Sequence, residues 1–315
     1  MGPGDDWTHY DEMATAVARG DLSGGPAGPK ASGTLLYGYV LGALRAILGP
    51  GTYPLYFMQH VMLGCALVIL AYVAQGLWGP LAGVTTLAVA NVWAVADVTR
   101  WYSMRLLSEN LFLPVVALAW LAVLGVLRRP TARRAAMAGA ALGITGLTRF
   151  NSLAFVVVAV VLLARYLNGP PRRALVVTAA VVLLPAVVFI VIAAYLTYTT
   201  TDPSWHWWWR NAQFLFGGHL AAIHPEFRFR PHWPIMWALT IVWFARAPKA
   251  DIVTQLLATQ IGLTAVPLLL LPHAFIGTYG FRYTIPLFFP MILCLGALAP
   301  LIAKYFVKPG RTVLT

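Results

Sequence analysis

A chain of 315 residues that is 60% hydrophobic and 10% charged, with a mean hydropathy of +0.74, has too few polar groups to cover a soluble surface. An all-α integral membrane protein is expected, because apolar stretches of about 20 residues cross a bilayer only when every backbone group bonds internally. Stretches such as 174–192 do not alternate polar with apolar residues, which excludes a β-barrel reading.

Residues 1–32 are polar, with a short helix expected from about 6 to 19 and a stretch of Gly, Pro and Ser after it. Residues 33–48 are apolar but short, glycine-containing and interrupted by Arg45, which predicts an interfacial or re-entrant helix. Spans are expected over 53–76, 80–96 and 106–127, the last two separated by a polar knot from Asp97 to Arg105. Residues 135–147 are too few to cross comfortably and end at Thr148-Arg149-Phe150-Asn151, so they form a hairpin with 152–167. Further spans are expected at 174–197, 233–244, 252–271 and 283–303, with a long aromatic loop at 198–232. The pattern divides the chain into an outer-face segment with interfacial helices (1–52), a bundle of about 8–10 helices (53–303) and a tail (304–315).

The charges sort by side. Loops 128–134, 165–173, 246–251 and 304–311 hold twelve of the 22 basic residues and a single acid, Asp251. By the positive-inside rule this face is cytoplasmic, and the other nine acids face outward. The net charge of +12 therefore follows topology, and nucleic acid is not read as a partner. Met1 falls on the outer face with no signal peptide or span before it, so either the first loop is exported without a visible signal or, as the favoured expectation, a further transmembrane helix lies upstream. Cys65 and Cys294 sit in apolar runs without CxxC spacing and read as small buried hydrophobes.

Several residues stand out chemically. Asp5 and Asp6 open the acidic stretch that continues to Tyr10, Asp11 and Glu12, and either aspartate could cap the helix that begins there, with Asp11 and Glu12 on its solvated side. Asp97, Arg100, Arg105 and Glu109 crowd one membrane edge, where ionisable groups are costly unless paired or wet. Glu109 behind Ser108 also reads as a plain helix start. Arg149, at the tip of the hairpin, needs an anionic partner, either a carboxylate or a lipid phosphate. Arg282 precedes a span and either binds phosphate or snorkels, with His273 as a helper or a merely interfacial residue. The aromatic loop carries His206, His219, His224 and His232 at spacings of 13, 5 and 8, which match no compact zinc pattern. Its tryptophans read as an interfacial belt or as a platform for a sugar or a polyprenyl chain.

Asp6 to Tyr10, Ser108-Glu109, Gly146-Leu147-Thr148-Arg149 and Arg282-Tyr283 with Pro286 occur in this order on consistent sides of the membrane. The arrangement resembles the GT-C class of membrane glycosyltransferases, in particular its protein-O-mannosyl and aminoarabinose transferase branch. That resemblance implies sugar transfer from a polyprenyl-phosphate donor to a glycan, lipid or protein acceptor on the outer face. It also implies a catalytic aspartate in the first outer loop, which falls on Asp6 by its spacing to Tyr10, with Asp5 as the rival and Glu109 as a second carboxylate. Tyr10, Asp97, Arg100, Arg149, His273, Arg282 and Tyr283 are then expected around the substrate and its phosphate. Inverting transfer needs a base for the acceptor proton and donors for the leaving phosphate. No cofactor is called for, with a divalent metal ion as the open alternative. The rival class is a transporter or flippase for a lipid-linked or small anionic substrate, which would also use intramembrane arginines and broken helices. The absence of an internal repeat and the gathering of acids in an outer loop favour the enzyme.

Overall fold

The computed structural model describes residues 6–25, 35–94, 109–149, 152–200, 232–270 and 273–306; for Asp6, Trp7, Leu35 and for parts of 186–200, 232–234, 265–286 and 305–306 it describes the backbone alone. Among the described residues every element is a helix, and there are eleven. They are α1 (Asp6–Ala18), α2 (Leu35–Leu48), α3 (Thr52–Trp78), α4 (Pro80–Trp93), α5 (Glu109–Arg128), α6 (Ala132–Thr148), α7 (Leu153–Tyr166), α8 (Gly169–Thr200), α9 (His232–Arg246), α10 (Ile252–Leu270) and α11 (His273–Phe306). Among the described residues three segments are long and apolar enough to cross a membrane: Thr52–Trp78, Glu109–Arg128 and Leu287–Lys304.

Two helices run further than the hydrophobic pattern predicts. α8 begins at Gly169, inside the expected basic loop, because Pro170 and Pro171 fall in its first turn, where a missing N–H costs nothing. α11 begins at His273, ten residues before the expected span, and takes in a stretch expected as loop. Pro272 precedes this stretch and no further proline follows before Pro286, so nothing stops the helix from starting early. Two other helices begin where local signals dictate. Thr131 caps α6 by accepting from the Arg134 N–H, and Asp251 caps α10 by accepting from the Thr254 N–H at 3.0 Å.

Close approach between helices is set by glycine. On α6 a Cβ at Gly139 would collide with the carbonyl oxygen of Leu175, and one at Gly143 would press on Val182, both on α8. This small-xxx-small face lets α6 and α8 run side by side, and the rising order of both sets of contacts makes them parallel. The same device joins α2 to α1, where Gly38 meets Met13 and Gly42 meets Val17. The main core lies between α3, α4, α5, α7, α10 and α11, with Trp93 4.2 Å from Phe288 and Trp120 donating to Gln260 at 3.0 Å. Of the two cysteines, Cys294 is buried as expected, whereas Cys65 is exposed on α3.

The helix directions give the bundle two chemically different ends. Gln59 meets Asn110 and Gly76 meets Arg128, so α3 and α5 are parallel. Trp78 meets Trp243, placing the end of α9 beside the end of α3. Gly296 meets Thr86 while Phe288 meets Trp93, so α11 runs antiparallel to α4 and ends where α4 starts. The basic junctions α5–α6, α7–α8 and α9–α10 therefore share one end with the end of α11. The start of α5, the turn between α6 and α7, and the helices α1 and α2 lie towards the other.

Candidate active site

At that second end α6 stops at Thr148, and Arg149 turns into extended backbone at φ −153° and ψ 123°. Hydroxyls close the turn. Thr148 Oγ1 donates to the Thr145 carbonyl at 2.7 Å, and Ser152 Oγ lies within bonding distance of the carbonyls of Thr145 and Arg149. Carbonyls that the helix end leaves without intrahelical donors are satisfied this way, and the backbone of Arg149 is held.

Its side chain crosses to the first residue of α5. Arg149 Nη1 donates to Glu109 Oε1 at 2.5 Å, with the two side chains 6% and 1% exposed. The Arg149 guanidinium carbon also lies 5.9 Å from the centre of the Phe112 ring. Of the two partners open to Arg149 from sequence, the structure supplies the carboxylate. Glu109 sits at the amino end of α5, where the helix dipole favours negative charge. Burial of two charges is tolerable here because they neutralise each other.

The residue beside Glu109 extends the polar cluster. Asn110 Nδ2 donates to Gln59 Oε1 at 2.6 Å, and Gln59 Nε2 donates to Tyr37 Oη at 3.1 Å. Tyr37 lies on α2, a 14-residue helix too short to span, and its ring meets Tyr10 edge-on at 4.9 Å and 83°. Burial pushes the Tyr37 hydroxyl well above its usual range, with Tyr10 and Glu109 adding to the effect, so it stays a neutral phenol. Tyr10, Tyr37, Leu41, Leu55, Leu111 and Val115 form one apolar cluster that seats α1 and α2 against the beginnings of α3 and α5.

A second ion pair holds α1 to α2. Arg45 donates to the Asp11 carboxylate at 2.5 Å, to the Asp11 carbonyl at 3.0 Å and to Thr15 Oγ1 at 2.5 Å. Asp11, expected on a solvated face, is instead engaged in this pair, with its side chain 37% exposed. Glu12 does face outward.

The expected site residues thus fall into three groups. Glu109 and Arg149 are brought together, and Tyr10 packs in the cluster next to them, with its side chain among core residues. Asp6 lies at the start of α1, one turn before Tyr10, and His273, Arg282 and Tyr283 lie in the first three turns of α11; for these four the backbone alone is described. Asp5, Asp97, Arg100 and residues 201–231 of the aromatic loop lie outside the described residues, while the expected loop's two ends, 198–200 and His232, belong to α8 and α9. Gln59, Asn110, Tyr37 and the Asp11–Arg45 pair were not singled out as site residues from sequence. A glutamine inside an apolar span was the one available signal, since intramembrane polar groups are expensive.

Among the described residues no three His, Cys, Asp or Glu side chains gather as a metal site. A void of about 10 Å³ between α5, α6, α7 and α10 is lined by apolar side chains including Trp120 and Phe155, and it is too small and dry for a substrate. Comparison with protein-family models, with curated proteins and with solved structures finds no match to this chain.

Proposed function

We propose that this chain is a polytopic membrane glycosyltransferase of the GT-C type, moving a sugar from a polyprenyl-phosphate donor to an outer-face acceptor. One observation carries the reading. Three segments far apart in sequence (the acidic first helix, the start of α5 at Glu109 and the end of α6 at Arg149) converge at the end of the bundle opposite the basic loops. In the multi-pass arrangement we infer, that end faces outward and the basic end faces the cytoplasm.

In this reading Asp6 is the base that takes the acceptor's proton, with Asp5 as its rival. Arg149 brings positive charge to the leaving phosphate, and Glu109 orients the guanidinium instead of acting as the base, because its Oε1 already accepts from Arg149. Asp97, Arg100, His273, Arg282 and Tyr283 are proposed to complete the donor pocket. The proposed partners are the polyprenyl-phosphate sugar, the bilayer and a glycan, lipid or protein acceptor.

The test reconstitutes the protein in membranes with radiolabelled polyprenyl-phosphate sugars and follows loss of sugar from the lipid. Asp6→Asn is expected to abolish release while lipid binding persists, and Glu109→Gln to lower turnover about a hundredfold, a typical loss for a disturbed electrostatic site. If no sugar leaves any donor but lipid moves between leaflets, the reading fails and a transporter takes its place.

A further inference from the structure

The end of the bundle remote from Glu109 and Arg149 is crowded with cations that lack carboxylate partners. Arg129, Arg133, Arg165, Arg172, Arg173 and Lys249 are all exposed there. Among the described residues the three ion pairs, His9–Glu12, Asp11–Arg45 and Glu109–Arg149, lie elsewhere. The one acid among these junctions, Asp251, is engaged by its own helix, accepting from the N–H of Thr254 at 3.0 Å and its hydroxyl at 3.2 Å.

Four of these arginines lie at the same end of the bundle because α6 and α8 run parallel. Arg133 stands in the first turn of α6 and Arg172 and Arg173 open α8, while Arg165 ends α7 just before the turn into α8. Neither α6 nor α8 has an acid in its first turn, and among the described residues no carboxylate pairs with these guanidiniums. An anion from outside would offset the repulsion among like charges gathered at one end.

The neighbouring surface says what kind of anion. Towards the middle of the bundle the same helices expose aliphatic side chains: Met137 on α6, Val161 and Val157 on α7, and Val176, Val177 and Val181 on α8. A ligand matching both halves has a phosphate for the guanidinium forks and hydrocarbon chains for the valines. A soluble anion would leave the aliphatic half unmatched.

We propose that this rim is a binding site for anionic phospholipid, with the headgroup phosphate among Arg133, Arg165, Arg172 and Arg173 and the acyl chains along α7 and α8. The site rests on the chain lying in a membrane and is independent of the sugar-transfer chemistry, so either can fail alone.

The full-length protein is purified in detergent, offered an equimolar mixture of phosphatidylglycerol and phosphatidylcholine, and the retained lipids are counted by native mass spectrometry. Phosphatidylglycerol is expected to be retained about tenfold or more over phosphatidylcholine, since each arginine near an anionic headgroup adds about a fivefold preference. The combined Arg133→Gln, Arg165→Gln, Arg172→Gln, Arg173→Gln variant is expected to bring the ratio to within about twofold. For wild type alone, raising salt from about 0.05 M to about 0.5 M is expected to erode the preference, which keeps the test open if the quadruple variant does not fold. Equal retention of the two lipids, or a preference indifferent to salt, or one that survives in a folded quadruple variant, overturns the proposal. Complete displacement of the lipid by inorganic phosphate overturns it too, marking a site for a free anion.

Discussion

Arg149 and Glu109 are 40 residues apart in sequence, yet the Arg149 guanidinium meets the Glu109 carboxylate at 2.5 Å with both side chains nearly withdrawn from solvent. The pair ties the turn after α6 to the first residue of α5. Removing one member leaves an uncompensated charge in a dry setting. Glu109→Ala or Arg149→Ala should therefore each cost about 3–5 kcal/mol in a reversible unfolding measurement. The double replacement Glu109→Leu, Arg149→Met should cost much less than the two single losses combined, because it removes both charges together. Additive losses would mean that the two side chains act separately.

The Tyr37–Gln59–Asn110 chain makes a second prediction. Gln59→Leu removes the acceptor of the Asn110 amide and a donor to the Tyr37 hydroxyl in a buried place and should destabilise by about 1–3 kcal/mol. Tyr37→Phe in the Gln59→Leu background should cost less than it does alone, since the bond from Gln59 is already gone. A double-mutant cycle read by thermal unfolding checks this.

Gly139 is predicted to tolerate no side chain. Gly139→Ala drives a methyl group into the Leu175 carbonyl, and backbone has no far end that can swing away. A loss of about 1–3 kcal/mol is expected, as for other overpacked contacts. Gly64→Ala on α3 is the control, because nothing lies within 4 Å of its added methyl. That change should be neutral or stabilising by helix propensity.

The clasp between α1 and α2 should be asymmetric. Arg45 is buried and makes three of its bonds to Asp11 and Thr15, whereas Asp11 is over a third exposed. Arg45→Ala is expected to expose α1 to limited proteolysis far more than Asp11→Asn, which still leaves the Asp11 carbonyl as an acceptor. Equal cleavage rates in the two variants would assign the docking of α1 to the apolar cluster alone.

One acidic transition is expected after α1. Bonds from the Ser23 hydroxyl and N–H hold the Asp21 carboxyl below its usual value near 3.8. A depressed folded value means that its contribution is present above about pH 4 and is lost as the pH falls through the lowered value. NMR titration of Asp21 reads this directly, and Ser23→Ala should move the midpoint back up towards the unfolded value.

Much of the helical layout was legible in the sequence because apolar length and basic junctions are local signals. The helix over 6–18, the hairpin turning at Arg149 and the short helix interrupted by Arg45 all come from such patterns. The early start of α11 was not legible, because an aromatic stretch with two glycines carries no strong signal for helix or loop. At the candidate site the types of residue were readable, since an arginine at the tip of a short hairpin demands an anion. Which anion was not readable.

Composition and charge by themselves determined an oily helical chain with one basic end, because the free energy of burying or exposing a segment depends on its own residues. Only the tertiary structure decided that Glu109 is the partner of Arg149, that Asp11 belongs to Arg45, and that Gly139 and Gly143 of α6 set its approach to α8. Those pairings depend on helix direction and on glycine-set approach between elements far apart in the chain. Such distances are properties of packing, and no single segment encodes them.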